Sequence, residues 1–217
     1  MDSDLRKPVH YAAACEGPEP MQVLIEAGAN LGDIDNQKNT CLHIAALNGR
    51  HETIDLILKT SPMLVNIRNK KSMTPIGYAA REGHTKAVEV LLKYKAKLNV
   101  GCGLERMTPL CFAAANGHDE LCKFLIDNKA RVLGKDKFKR TPLILACMNG
   151  HAKITNMLLQ HGAEWNATDS SMNSPLHYAS AYGWLQCMDE LLKVGADINA
   201  ANSWKITPIN IAMLLNH

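Results

Sequence analysis

Histidine and cysteine are the residues in this sequence with the widest chemical scope. The 217-residue chain has nine histidines and seven cysteines. Such side chains ligate zinc or act in nucleophilic catalysis where they converge. Yet the sequence has no Cys-x-x-Cys pair, no His-Glu-x-x-His helix, no Gly-x-Ser-x-Gly elbow and no phosphate-binding loop. We therefore predict no catalytic residue, no metal site and no cofactor.

The histidines instead follow an internal repeat. Seven segments begin with a variant of Thr-Pro-Leu-His, 33 or 34 residues apart, at Lys7, Thr40, Thr74, Thr108, Thr141, Ser174 and Thr207. Two positions of this repeat hold seven of the histidines, namely His10, His43 and His177 at the fourth residue and His84, His118, His151 and His217 at the eleventh. Because equivalent positions of packed helices lie about 8–10 Å apart, a row of such histidines cannot share one zinc ion.

Each repeat predicts a pair of helices. The Thr or Ser at the repeat start caps a first helix, and Pro suits the first helical position. An alanine five residues after each start allows the next repeat to approach, and a glycine nine residues after five of the starts ends the helix. A second helix follows, with apolar residues at helical spacing. About ten polar residues then form a hairpin-like finger before the next start.

Departures from the pattern carry predictions of their own. Gly28, Gly162 and Gly195 close second helices, but Lys95 and Lys129 stand at that position in two repeats. A left-handed backbone there costs a non-glycine residue roughly 1 kcal/mol. The two 34-residue periods each need one extra residue, which we place near residues 62–65 and near residues 101–106.

The pattern resembles the ankyrin repeat, whose hallmark is Thr-Pro-Leu-His-x-Ala on a 33-residue period. The resemblance extends over residues 7–217 and implies an all-α fold, an ankyrin-repeat solenoid of stacked helix-turn-helix pairs with β-hairpin fingers. We expect a single domain over residues 1–217 whose last repeat is truncated. Since Ile209, Ile211, Leu214 and Leu215 are apolar where an end repeat is normally polar, the chain is expected to be a fragment of a longer array.

Composition excludes several classes of protein. The net charge of +3 is too small to indicate bulk nucleic-acid or membrane binding. No stretch approaches the roughly 18 apolar residues of a membrane helix, and the acidic N-terminus is unlike a signal peptide. Seven scattered cysteines give no disulfide framework, which favours a cytoplasmic or nuclear location. We expect these cysteines to be small buried hydrophobes, with a reactive thiol at an exposed Cys102 as the alternative.

The resemblance implies that partners contact the fingertips and the inner face of the first helices. On this sequence, the candidate partner-binding residues are Lys70, Lys71, Met73, Tyr78, Arg81, Phe112, Lys137, Phe138, Arg140, Met148, Tyr178, Tyr182 and Trp204. Aromatic residues and methionine often anchor interfaces. The basic members are either a solvated charge run or the rim of a groove for an extended peptide with acidic and apolar residues. The contact positions of two fingers are neutral, Asn36, Gln37 and Asn39 in one and Ser170, Ser171 and Asn173 in the other, which argues against a nucleic-acid partner.

Two asparagines indicate a second possibility. Asn166 and Asn199 each lie eight residues after a leucine of the second helix, which resembles the sites of asparaginyl hydroxylation in ankyrin repeats. The alternative is a structural asparagine at the start of a finger.

Together these features predict a non-enzymatic protein-interaction scaffold. The alternative is a targeting or substrate-recognition arm of a larger enzyme or channel. The segments 6–17 and 202–214 are similar to ankyrin arrays of poly(ADP-ribose) polymerase-like proteins, which would make such an enzyme the parent protein.

Overall fold

The computed structural model describes residues 3–215; His217, where the predicted last repeat stops, lies outside this range. Thirteen α-helices occur in the described residues. The first helices of the seven repeats are α1 (Pro8–Ala12), α3 (Cys41–Leu47), α5 (Pro75–Arg81), α7 (Pro109–Ala115), α9 (Pro142–Met148), α11 (Pro175–Tyr182) and α13 (Pro208–Leu215). The second helices are α2 (Glu19–Glu26), α4 (His51–Thr60), α6 (Thr85–Lys93), α8 (Asp119–Asp127), α10 (Ala152–Gln160) and α12 (Leu185–Lys193).

The chain divides into two compact units, one up to Pro109 and one from Leu110. In the first unit, α3 packs against α5 and α4 packs against α6. In the second unit, α11 packs between α9 and α13, and α10 packs against α12. Within each unit, first helices therefore stack on first helices and second helices on second helices. The single domain over residues 1–217 stays a prediction.

Side-chain caps start the first helices where the sequence predicts them. Thr74 Oγ1 accepts a hydrogen bond from the backbone N–H of Gly77 at 3.3 Å, and Thr141 Oγ1 accepts one from Ile144 at 3.3 Å. Each contact satisfies one of the backbone donors that a helix N-terminus leaves unpaired. The alanine five residues after the start has no exposed surface in α3, α5, α9 or α11, so its small size lets neighbouring helices approach.

A close approach explains the glycine that ends a first helix. Gly150 has φ of +78°, and a Cβ placed on it would lie 2.7 Å from the indole of Trp184 in the next repeat. That indole donates from Nε1 to the carbonyl of Met148 at 3.3 Å. In the first unit, Gly49 meets the ring of His84 in the same way, and His84 Nε2 lies 3.1 Å from the Leu47 carbonyl. Glycine is thus required both by its φ and by the ring beside it.

Left-handed residues end the second helices, as predicted. Lys95 and Lys129 have φ of +64° and +70°, whereas Gly195 at the equivalent position has +85°. A Cβ on Gly195 would meet nothing within 4 Å. A side chain at this position therefore meets no steric clash with other residues, and its strain comes only from the left-handed backbone.

Replacing Lys95 with glycine should raise the free energy of unfolding by about 0.5–1 kcal/mol, because the relief of left-handed strain exceeds the added entropy of the unfolded chain. The matched change, Gly195→Lys, should lower it by about 1 kcal/mol. Urea denaturation of both variants measures the two effects. A less stable Lys95→Gly protein would contradict this assignment of strain.

The extra residues of the two longer periods lie where the spacing places them. A short 3₁₀ helix, Pro62–Asn66, follows α4. In the third finger, the N–H of Cys102 bonds to the carbonyl of Met107, five residues on, whereas Asp35 and Asn39 close the first finger four residues apart. Cys102 and Met107 form an isolated antiparallel bridge. Among the described residues the fingers are hairpin-shaped turns rather than paired β-strands.

Candidate functional site

A buried polar side chain organises five of the fingers. An aspartate or asparagine lies five residues before the repeat start, and we call these the turn residues: Asp35, Asn69, Asp136, Asp169 and Asn202. In each, the side-chain Oδ1 accepts the backbone N–H groups two and four residues later, at 2.8–3.1 Å. All five are buried. The sequence analysis missed them, although their recurrence at multiples of about 33 residues was a usable signal.

Backbone hydrogen bonds join neighbouring fingers within each unit. In the second unit, the N–H of Ser170 donates to Phe138 O at 2.8 Å, and the N–H of Ser203 donates to Ser171 O at 3.1 Å. In the first unit, Lys70 N–H donates to Gln37 O at 2.9 Å. Within each unit, these bonds hold a fingertip against the one before it, which preorganises the side chains of that unit.

The candidate residues of the first unit differ in accessibility. Lys70 and Lys71 are exposed at the tip of the second finger. Arg81 lies with its guanidinium 5.0 Å from the ring centre of half-buried Tyr78, a cation–π arrangement. Met73, however, is 5% exposed, so its prediction as a contact residue is wrong. Its position directly before the repeat start lies inside the finger, where it is close to the space that a Gly77 side chain would fill.

The fourth finger carries the predicted basic and aromatic cluster of the second unit. Phe138 is 39% exposed, and both Lys137 Nζ and Arg140 Cζ lie 4.8 Å from its ring centre. The Arg140 guanidinium also pairs with the turn residue Asp136, at 2.6 Å and 2.7 Å. Its side chain is only 14% exposed. Arg140 therefore stabilises its own finger and offers less free charge than the sequence suggests, whereas Lys137 is exposed.

The most accessible aromatic residues lie in the last two repeats. Trp204 is 64% exposed at the tip of the sixth finger, and Tyr182 is 52% exposed near the end of α11. Phe112 and Met148, on α7 and α9, are half-buried. These side chains keep apolar surface in water, as interface anchors do.

Tyr178 is half-buried because it has a structural partner. Its hydroxyl donates to Asp169 Oδ2 at 2.7 Å. Burial and this carboxylate raise the pKa of Tyr178 to about 12. Burial alone would raise the pKa of Asp169, but hydrogen bonds from Tyr178, Asn173 and Ser171 outweigh it and lower that pKa. The carboxylate thus remains charged inside the finger at neutral pH.

The repeat histidines bond backbone and caps rather than each other. His43 Nδ1 lies 3.0 Å from Thr40 Oγ1, and its Nε2 lies 3.2 Å from the Met73 carbonyl of the next finger. His177 makes the same two contacts with Ser174 and Ile206. In the described part of the chain, no three histidine, cysteine or acidic side chains lie together where they could hold a metal ion.

Acid should destabilise the protein through His43, whose burial lowers its pKa from 6.5 to about 4. Since the unfolded chain takes up the proton first, the contribution of this residue is complete above pH 6.5 and falls by about 1.4 kcal/mol per pH unit towards pH 4. His43→Asn should remove this part of the pH dependence, because asparagine does not titrate. The variant should fold, since Asn210 occupies the equivalent position of the last repeat, where its Oδ1 accepts a hydrogen bond from Thr207 Oγ1 at 2.7 Å. Urea denaturation at pH 7 and pH 5 tests this. A wild-type slope retained in the variant would contradict it.

Cys102 is not the exposed thiol that the sequence allowed. It has no exposed surface, and its sulfur packs towards Gly77 of α5, where any side chain on that glycine would collide with it. Burial raises the pKa of its thiol. The one-residue bulge of the third finger turns this side chain inward, so Cys102 is the small buried hydrophobe that was expected, and the alternative of a reactive thiol is wrong. Burial likewise raises the pKa values of Cys41 and Cys122 to about 12.

Comparisons with known proteins agree with this geometry. Models of ankyrin repeats match residues 9–102, 98–169 and 172–203. The crystal structure of the human ASB11 ankyrin repeat domain superposes with a TM-score of 0.88 and 25% identity, over 98% of each chain. Mouse and human Rabankyrin-5 are both 30% identical to 76 residues, which are 35% of this chain and 6% of theirs. The chain thus spans a small part of the length of these curated relatives.

No helix among residues 3–215 combines the length and apolar character that crossing a bilayer requires. The matches confirm the predicted fold class, an all-α ankyrin-repeat solenoid of stacked helix pairs. Ankyrin repeats are generally protein-interaction modules and typically lack catalytic activity. The family models together match most of the sequence, and the chain belongs to the ankyrin repeat family.

Proposed function

We propose that the chain binds a partner protein through its fingertips and the inner face of its first helices. The observation that carries this proposal is the exposure of large apolar side chains on fingers that are held rigid by their turn residues, above all Trp204 at 64%. Tyr182 and Phe138 extend the apolar surface in the second unit. Such aromatic groups contribute most of the energy at many interfaces.

The partner is proposed to be an extended, acidic segment with apolar anchors. Lys70, Lys71 and Lys137 supply exposed positive charge, and the rings of Tyr78 and Phe138 lie beside it. Opposite charge on the partner would accelerate association, and apolar residues would hold the complex. Met73 and Arg140 are not among the proposed contacts, because Met73 is buried and the Arg140 guanidinium pairs with Asp136.

Fingertip variants test the proposal. Proteins retained from a cell lysate by the immobilised chain should bind about 30-fold more weakly to Trp204→Ala and about tenfold more weakly to the double variant Lys70→Glu, Lys71→Glu. Lys86→Glu and Lys123→Glu, on the exposed faces of α6 and α8, are the matched controls. Equal losses from the controls, or full retention by both fingertip variants, would refute the proposed surface.

The role of this array in a larger protein is a separate proposal. A targeting or substrate-recognition arm of an enzyme, including a poly(ADP-ribose) polymerase-like protein, or of a channel, stays the alternative. Transcript sequence downstream of codon 217 distinguishes the alternatives. A cytoplasmic or nuclear location is proposed because no disulfide joins the seven cysteines, all of which lie in the described residues.

Asparagine hydroxylation is a second candidate. Asn166 and Asn199 are both exposed, so an enzyme could reach them. A mass increase of one oxygen atom on the peptide containing either residue, from natively expressed protein, is the expected result. If both peptides were unmodified under the same conditions, the hydroxylation proposal would be wrong and both asparagines would have only a structural role.

A further inference from the structure

A small pocket opens in the second unit, next to the fifth finger, which contributes Met172 to its lining. It lies between the segments 165–172 and 196–201, over the first turn of α11, and has a volume of about 170 Å³. An engineered protein cavity of about 150 Å³ lined by apolar residues binds benzene. The pocket is therefore large enough for one apolar side chain and too small for a folded element.

One wall of the pocket departs from the repeat pattern. Trp165 lies nine residues before a repeat start and lines the pocket. Four other repeats have an aliphatic residue at this position, namely Leu31, Val65, Val132 and Ile198, and the repeat that starts at Thr108 has Asn99. Only this repeat has an indole at the position, and it widens the apolar wall of the pocket. A structural role common to all repeats would not require a tryptophan here.

A second lining residue departs from the pattern as well. Met172 lines the pocket and is 53% exposed, with φ of +62°. The same left-handed position carries polar or basic residues in the other five fingers, namely Lys38, Ser72, Arg106, Lys139 and Lys205, and an apolar residue, Leu5, only in the stub before the first repeat. The turn requires this conformation but not a methionine. An exposed, flexible thioether that lines the same pocket as a tryptophan is the kind of surface that adapts to an apolar side chain.

The charge around the pocket indicates which residues should flank an apolar side chain that binds in it. The lining contributes one carboxylate, from Asp197, and no ammonium or guanidinium group among the described residues. His177 also lines it, but burial lowers the pKa of this imidazole, so it is uncharged at neutral pH. Glu164, exposed directly before Trp165, adds negative charge nearby.

We propose that this pocket binds a single apolar side chain, of leucine to phenylalanine size, from a protein segment in which lysine or arginine residues flank it. The inference rests on the proposed function, since its ligand belongs to a partner protein. The second unit would thus hold an anchor site that prefers basic flanking residues, whereas the basic fingertips prefer acidic ones.

A short peptide tests the pocket without an identified partner. The probe is N-acetyl-Lys-Phe-Lys-amide, titrated into the full chain while the methyl signal of Ala200, which lines the pocket, is followed by NMR. We expect saturable shifts with a Kd of about 1 mM. The Glu-Phe-Glu and Lys-Ala-Lys analogues should bind at least about tenfold more weakly. No shift of Ala200, or equal binding of all three peptides, would overturn the inference.

Two variants that copy other repeats keep the test independent of folding. Trp165→Val and Met172→Lys introduce residues found at the same positions elsewhere in this chain, so both should stay folded and lose the tripeptide. Lys139→Met, the matched control, should bind it like the wild type. Folded variants that still bind the tripeptide would refute the assigned walls.

The fingertip variant Trp204→Ala separates the two proposals. It should bind the tripeptide with unchanged affinity while losing the partner. Loss of the partner without any tripeptide binding in the wild type would overturn the pocket alone. Tripeptide binding combined with a partner insensitive to Trp204→Ala would overturn the fingertip surface alone.

Discussion

Asp169→Ala should lower the free energy of unfolding of the second unit by about 4 kcal/mol. The substitution removes the acceptor of two backbone N–H groups, from Ser171 and Asn173, and of the Tyr178 hydroxyl. Each buried donor left without a partner costs about 1–3 kcal/mol. Urea denaturation followed by far-UV circular dichroism measures the loss.

Asp169→Asn is the matched control for this prediction. Asn69 and Asn202 accept the same pair of backbone bonds in their own fingers, so the variant should lose less than about 1 kcal/mol at pH 7. The lowered pKa of Asp169 adds stability that is complete above its ordinary value near 4 and is lost as the pH falls through the folded value. The asparagine variant should lack this acid-sensitive part. Equal damage from alanine and asparagine would contradict the role of the turn residues.

Ala179→Leu should destabilise the second unit by about 3 kcal/mol. Ala179 has no exposed surface and lies on α11, which packs against both α9 and α13. Three added carbon atoms must therefore push one of these helices away, and such overpacking typically costs 1–3 kcal/mol or more. A lower midpoint in urea and weaker protection of α11 and α13 amides from hydrogen exchange are the expected signs.

The same substitution two residues further along the helix provides the comparison. Ala181 is half-buried on α11, so Ala181→Leu should change stability by less than about 1 kcal/mol. If the two leucine variants were equally stable, tight stacking through the repeat alanines would not be what holds the helices together.

The helix pairs could be predicted from the sequence because their signals are local. A cap, a proline and a glycine at fixed spacing act within one repeat, and Thr141, Pro142 and Gly150 each lie in the predicted conformation. Even the departures were predictable: Lys95 is left-handed because the chain must turn there whatever residue it carries.

The missed features depend on contacts between segments. The sequence does not show that Asp136 is buried beneath its own finger or that Cys102 turns inward at a one-residue bulge. The sequence also does not show which side chains of the candidate surface are exposed. Trp204 lies three residues before its repeat start and Met73 one residue before its own, yet one is 64% exposed and the other 5%. The Trp165 and Met172 pocket arises from two departures that become adjacent only in the folded unit.

Hydrogen exchange of the full chain, free and bound to a captured partner, tests the central claim most directly. The claim is that fingertips and first helices, rather than second helices, form the binding surface. We predict slower exchange in the bound state at residues 137–140, 170–173 and 203–206 and near Tyr182, with α10 and α12 unchanged. Protection confined to α10 and α12, with unaltered fingertips, would contradict the account.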